Sequence, residues 1–121
     1  ECGGMLYLNE TLQTLNEENN SDNDSQKYIM VGLLPGQAIM QPRLGGLGMQ
    51  NTVWPEGELR GHTFHYSRLE TEAQPMGYGV KQRNGQQGEA IYQHANLTAS
   101  YLHFYFPSNP QVCAKLFQPV A

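Results

Sequence analysis

Apolar positions recur at spacings of three and four only near the two ends of this chain, and the stretch between them alternates apolar with polar residues in short runs. Met5, Leu8, Leu12 and Leu15 carry the first such spacing and predict an amphipathic helix from about Gly4 to Leu15. Residues 16 to 27 follow, with Glu17, Glu18, Asp22 and Asp24 among Asn and Ser; nothing there can be buried, which predicts a solvated loop. Tyr28 to Leu34 is an apolar run closed by Pro35-Gly36 and reads as a buried strand and a turn. Gln37 to Gln41 suits a short strand. Gly45, Gly46 and Gly48 loosen the approach to Met49–Trp54, and Pro55-Glu56-Gly57 makes a turn. Leu59 to Leu69 reads as one long strand, with His62, Phe64 and Tyr66 on one face and Thr63, His65 and Ser67 on the other. Met76–Arg83 and Gly88–Gln93 flank Asn84-Gly85, a favoured two-residue hairpin turn. Leu97 to Phe106 is an aromatic-rich strand. Asn109-Pro110 then opens a helix, an N-cap residue followed by proline at the first helical position, with Val112, Leu116 and Phe117 as its apolar face. The pattern is mixed α/β: a β-rich middle between two helices, without internal repeat or linker.

At 121 residues the chain is long enough for one core and one domain. The net charge of −4, with seven Lys and Arg scattered along the sequence, excludes the clustered basic face that nucleic acid requires. No apolar run approaches the ~20 residues of a membrane span. The start of the sequence lacks the basic and then apolar stretches of a secretory signal, so the expected compartment is the cytoplasm. In that setting Cys2 and Cys113 are expected as thiols, not as a disulfide. Cys113, among Val112, Ala114, Leu116 and Phe117, reads as a small core residue.

The chemistry concentrates at Glu1-Cys2-Gly3-Gly4, just ahead of the first helix. A thiol attacks as its thiolate, and the free N–H groups and positive dipole end of a helix favour that form. The same N–H groups can hold a developing oxyanion. Gly3 and Gly4 let the backbone turn and leave room for a substrate. A strand normally leads into such a turn, and none precedes Glu1 in this sequence. A thiol nucleophile also needs a base, usually His. Of His62, His65, His94 and His103, the last lies late in the final strand, where active sites of α/β sheets collect; a structural role for it fits the local sequence equally well. His62-Thr63-Phe64-His65 looks like a metal pair, but residues three apart on a strand point to opposite faces and no further ligands accompany them, so no metal is expected. His62 and His65 read instead as polar strand residues that bond neighbours or line a cleft.

Four motifs occur in order along nearly the whole chain: Glu1-Cys2-Gly3-Gly4-Met5-Leu6-Tyr7-Leu8; Gly32-Leu33-Leu34-Pro35-Gly36; Arg60-Gly61-His62-Thr63-Phe64-His65-Tyr66-Ser67; and Ala99-Ser100-Tyr101-Leu102-His103-Phe104 with Ser108-Asn109-Pro110. Together they resemble the glutamine amidotransferase domain of the cobyrinate (hydrogenobyrinate) a,c-diamide synthase family. The resemblance implies a flavodoxin-like, class I α/β glutaminase domain, incomplete at its N-terminus over residues 1–121. It implies Cys2 as the nucleophile toward glutamine and His103 as the proton acceptor and donor; Gly3, Gly4, His62 and His65 are candidate substrate contacts from the reading of the residues themselves. It implies no cofactor in these residues. ATP, Mg2+ and the corrin substrate would belong to an N-terminal synthetase domain that this sequence lacks.

Two departures stand out. Position 63 is Thr, where the family's Arg-Gly-His-x-Phe-His motif is expected to carry an acid, and the first strands of the glutaminase domain are missing. A cobyric acid synthase or a cell-wall amidating glutaminase is the neighbouring alternative, but its histidine run would read more like Gly-Thr-Tyr-His-Gly. An inactive glutaminase-like piece is a further alternative: an open sheet edge would leave it suited to folding, association or a homo-oligomer.

Overall fold

A computed structural model of the chain describes residues 1–15 and 26–119. The first helix, α1, spans Gly3–Leu8 and is much shorter than the spacing of leucines predicts. Asn9 ends it: its Nδ2 donates back to the Met5 carbonyl at 2.7 Å, and its backbone turns extended. The Glu10 N–H then binds the Gly36 carbonyl, so Thr11–Gln13 becomes strand β1, not a further helical turn. The expected loop lies outside the described residues from 16 to 25. Lys27–Ile29 forms β2, which corrects the buried strand expected over 28–34. β2 pairs only with β1 at a sheet edge, and Ile29 is 89% exposed. Gln37–Met40 is β3, as expected.

Gly46–Trp54 (β4) and Gly57–His65 (β5) form a long antiparallel hairpin in register from Gly46↔His65 to Trp54↔Gly57. The predicted long strand breaks at Tyr66: Ser67–Glu70 is a separate strand, β6, which leaves for the other sheet and pairs with β3. Gly77–Lys81 (β7) and Gln87–His94 (β8) make the second hairpin. Its turn is longer than two residues, closed by Gly85 N–H to the Lys81 carbonyl, with Gly85 at φ 70°. The aromatic strand also divides, into Leu97–Ser100 (β9) and His103–Phe104 (β10). The second helix, α2, spans Pro110–Leu116, with Asn109 Oδ1 accepting from Val112 N–H as an N-cap.

The strands form two sheets, β2-β1-β3-β6 and β10-β5-β4-β7-β8-β9. In the second, β9 and β10 lie at opposite edges, yet only Tyr101 and Leu102 separate them in sequence. The sheet must therefore curl until its edges meet across that short link. Its concave side holds Trp54, Leu59, Ile91 and Leu102, with Val112 and Cys113 of α2 packed against them. A second core joins Met5 of α1 to Leu34, Ala99 and Tyr101. The chain is thus a strand-rich α/β unit with a helix at each end. Of the parallel sheet that a flavodoxin-like domain would show, the described residues contain one parallel pair, β1–β3.

Leu102 is fully buried at the point of closure. Leu102→Ala is expected to cost about 2–5 kcal/mol in unfolding free energy, read from denaturant melts; a loss below about 1 kcal/mol would show that the closing link is not packed as described.

Candidate active site

Cys2 sits at the head of α1 with φ 42° and ψ −110°. This is a conformation that L-residues with a Cβ rarely adopt, costing roughly 1–3 kcal/mol. The strained residue is the cysteine itself, while Gly3 and Gly4 are helical, with open space where a Cβ would sit. Three contacts hold Cys2 there. Its N–H donates to the Ser100 carbonyl at 3.0 Å, its carbonyl accepts from Met5 N–H, and its Sγ lies 3.8 Å from the Phe64 carbonyl. The carboxylate of Glu1 accepts from Phe104 N–H at 2.8 Å. The first two residues therefore lie along Ser100–Phe104, the segment that carries His103.

His103 pairs across β10–β5 with His62, and the two rings stack with centroids 4.9 Å apart. Both line an apolar cleft of about 480 Å³ with Leu47, Met49 and Phe64. Cys2 approaches Phe64 at its backbone, and His103 shares the cleft with the Phe64 side chain. Among the described residues no hydrogen bond joins Cys2 Sγ to His103; the two are linked through the backbone of residues 100–104.

His62 and His65 face opposite sides of β5, as the strand period requires. His65 is buried and so is removed from the cleft. Its Nε2 lies 2.7 Å from Glu89 Oε1, its Nδ1 lies 2.9 Å from the Ser67 carbonyl, and its ring stacks on Tyr101 at 3.7 Å. Thr63 Oγ1 donates to the same Glu89 oxygen at 3.2 Å, and Ser67 Oγ donates to the Tyr101 hydroxyl at 2.9 Å. Glu89 N–H in turn donates to Gln50 Oε1. Sequence reading missed Glu89, Tyr101 and Gln50. The available signal was Glu89 itself, the lone charged residue in β8.

Among the described residues no group of three or more His, Cys, Asp and Glu is placed to hold a metal, and no helix is long and apolar enough to cross a membrane. Cys2 and Cys113 are free thiols. Burial, with the Glu1 charge adding to it, pushes the Cys113 thiol up.

Residues 1–111 match the model of the CobB/CobQ-like glutamine amidotransferase domain. The chain belongs to that family. It is 46% identical over 98% of its length to a cobyrinate a,c-diamide synthase of Herminiimonas arsenicoxydans, covering 25% of that protein. It is also 46% identical over 98% of its length to a hydrogenobyrinate a,c-diamide synthase of Pseudomonas aeruginosa, covering 26%. A cobyrinate a,c-diamide synthase of Dehalococcoides mccartyi is 39% identical over 93% of this chain and is covered to 25%. The chain thus spans about a quarter of the length of the curated relatives it matches, in their C-terminal part.

Within this amidotransferase domain the Tyr101 hydroxyl is pushed up to about 12 from 10.0, mainly by burial; the Ser67 bond opposes the shift and the Glu89 charge adds to it. The folded state holds this proton more tightly than the unfolded chain does. Its stabilisation is therefore complete below pH 10 and is lost as the pH rises toward about 12. That is on the order of 2–3 kcal/mol. Thermal melts between pH 9 and 11.5 should fall more steeply for the native sequence than for Tyr101→Phe; parallel declines would contradict the buried, neutral hydroxyl.

Proposed function

We propose that this chain is the glutaminase part of an ATP-dependent amidoligase that amidates the a and c carboxylates of cobyrinate or hydrogenobyrinate. The observation that carries the reading is Cys2, held at positive φ ahead of α1, in a chain of the amidotransferase family. In this reading the complete glutaminase domain is flavodoxin-like, residues 1–121 are part of it, and the protein works in the cytoplasm. ATP, Mg2+ and the corrin belong to the remainder of the parent protein.

The Cys2 sulfur attacks the side-chain amide carbon of glutamine. The N–H of Gly3, the first residue of α1, receives the oxyanion; those of Cys2, Gly4 and Met5 are taken by the Ser100, Glu1 and Cys2 carbonyls. His103 takes the thiol proton and returns it to the departing nitrogen, so the C–N bond breaks and ammonia leaves. A glutamyl thioester remains on Sγ. Water then attacks it, His103 accepts the water proton, and the proton passes to the leaving sulfur to give glutamate and free Cys2. The ammonia is consumed at the activated carboxylate in the synthetase part. His62 stacks on the His103 ring, and both face the open apolar cleft lined by Leu47, Met49 and Phe64.

In the full-length protein, Cys2→Ala is expected to lower glutamine-dependent amidation by at least about 10³-fold while leaving amidation from free ammonia within about twofold. Glutamine use at the native rate would remove Cys2 from the nucleophile role. In this reading the 121 residues alone hydrolyse little or no glutamine, because they are part of the glutaminase domain and not the whole of it. Near-native turnover in a glutamate-release assay would refute that, and would also separate an active domain from one that only folds or associates.

A further inference from the structure

Cys2 is seated by two backbone carbonyls, those of Phe64 and Ser100. Phe64, whose carbonyl faces Cys2 Sγ, lies between Thr63 and His65, and both of those side chains converge on Glu89 Oε1. Ser100, whose carbonyl receives Cys2 N–H, precedes Tyr101, whose ring is stacked on the His65 that Glu89 holds. We infer that Glu89 is a positioning residue for the proposed nucleophile, acting through Thr63 and His65 on Phe64 and through His65 and Tyr101 on Ser100.

The local chemistry supports a built arrangement. The Ser67 carbonyl only accepts, so His65 Nδ1 carries a proton toward it. A bond at 2.7 Å between Nε2 and Glu89 Oε1 then requires one further proton between them, because two lone pairs would otherwise face each other. Removing the carboxylate leaves both His65 and Thr63 short of a partner inside the fold. The backbone also makes room for the pair: a Cβ on Gly46 would overlap His65 Nε2 and come within 2.6 Å of Glu89 Oε1. β5 and β8 do not pair in the sheet, so Glu89 reaches Thr63 and His65 across its curl, and a carboxylate carried at position 63 itself would start from the side chain that Glu89 Oε1 now meets.

This inference rests on the proposed glutaminase reading, so the test runs Cys2→Ala alongside in the full-length protein. Glu89→Ala is expected to lower the glutamine-dependent kcat about 10- to 100-fold, with KM for glutamine changed less than about threefold and ammonia-dependent amidation unchanged. Adding Thr63→Glu to Glu89→Ala is expected to restore at least about fivefold of the lost kcat. Native kcat in Glu89→Ala, an effect confined to KM, or no recovery in a folded double variant would each overturn the inference. If Glu89→Ala does not fold, Glu89→Met decides: a side chain of similar length that bonds neither Thr63 nor His65 should lose about three- to tenfold in kcat, and a native value overturns the inference. If Cys2→Ala keeps its glutamine-dependent activity, the glutaminase reading itself fails. A dead Cys2→Ala beside a native Glu89→Ala removes only the role of Glu89.

Discussion

Closing the six-stranded sheet with a two-residue link forces consecutive side chains into different cores, and the candidate site is a consequence. Tyr101 goes to the side of α1, where it meets Met5, Leu34 and the His65 ring. Leu102 goes to the concave side with Trp54, Leu59 and Ile91. The turn between them cannot use ladder hydrogen bonds, so Ser100 supplies substitutes: its Oγ donates to the Ala90 carbonyl and accepts from Leu102 N–H. The Ser100 carbonyl accepts from Cys2 N–H. Immediately after the link, His103 enters pairing with His62. One break in one strand thus sets the seat of the cysteine and the address of the histidine.

A curled sheet also needs its interior filled, and this one uses polar groups where apolar ones would be simpler. Thr52 bonds the Leu59 carbonyl and receives Trp54 Nε1–H, while Gln50 receives Glu89 N–H. Each of these groups has a partner, which is the condition for burying it without a large desolvation cost. Space for them comes from glycine. A Cβ at Gly79 or Gly88 would run into the Gln50 side chain, as one at Gly46 would run into His65. Glycine weakens a strand by the backbone entropy it surrenders, so its presence at three inward positions marks where the polar interior is held in place of bulk.

Strand periodicity was readable wherever one face is buried and the other wet. The alternation of Thr63, His65 and Ser67 against His62, Phe64 and Tyr66 is the clearest instance, and the N-cap Asn109 with Pro110 is another. The helix was over-extended because Leu12 and Leu15 continue a helical spacing that β1 also tolerates; a single buried Asn9 side-chain bond decided the matter. The breaks at Tyr66 and Tyr101 left no local signature, since each arises from where the next strand finds its partner. The ordered motifs single out Cys2 and His103 as candidates, while Glu89 depends on a cross-sheet meeting that no spacing within β8 can express.

The strain at Cys2 ties these features together. A glycine would take φ 42° at no steric cost, yet the position carries a thiol, and the two glycines that could have absorbed the turn lie inside α1 instead. A strained residue of this kind persists only when its surroundings over-determine it. Here they do so from three directions: the Ser100 carbonyl on one side, the first turn of α1 on the other, and the Phe64 carbonyl facing the sulfur. Relaxing Cys2 would require releasing α1 or moving β5, and both are packed into cores. The thiol is therefore held at the helix head by the cohesion of the whole unit, and the proposed chemistry would draw on stability that is stored mainly in the closed sheet.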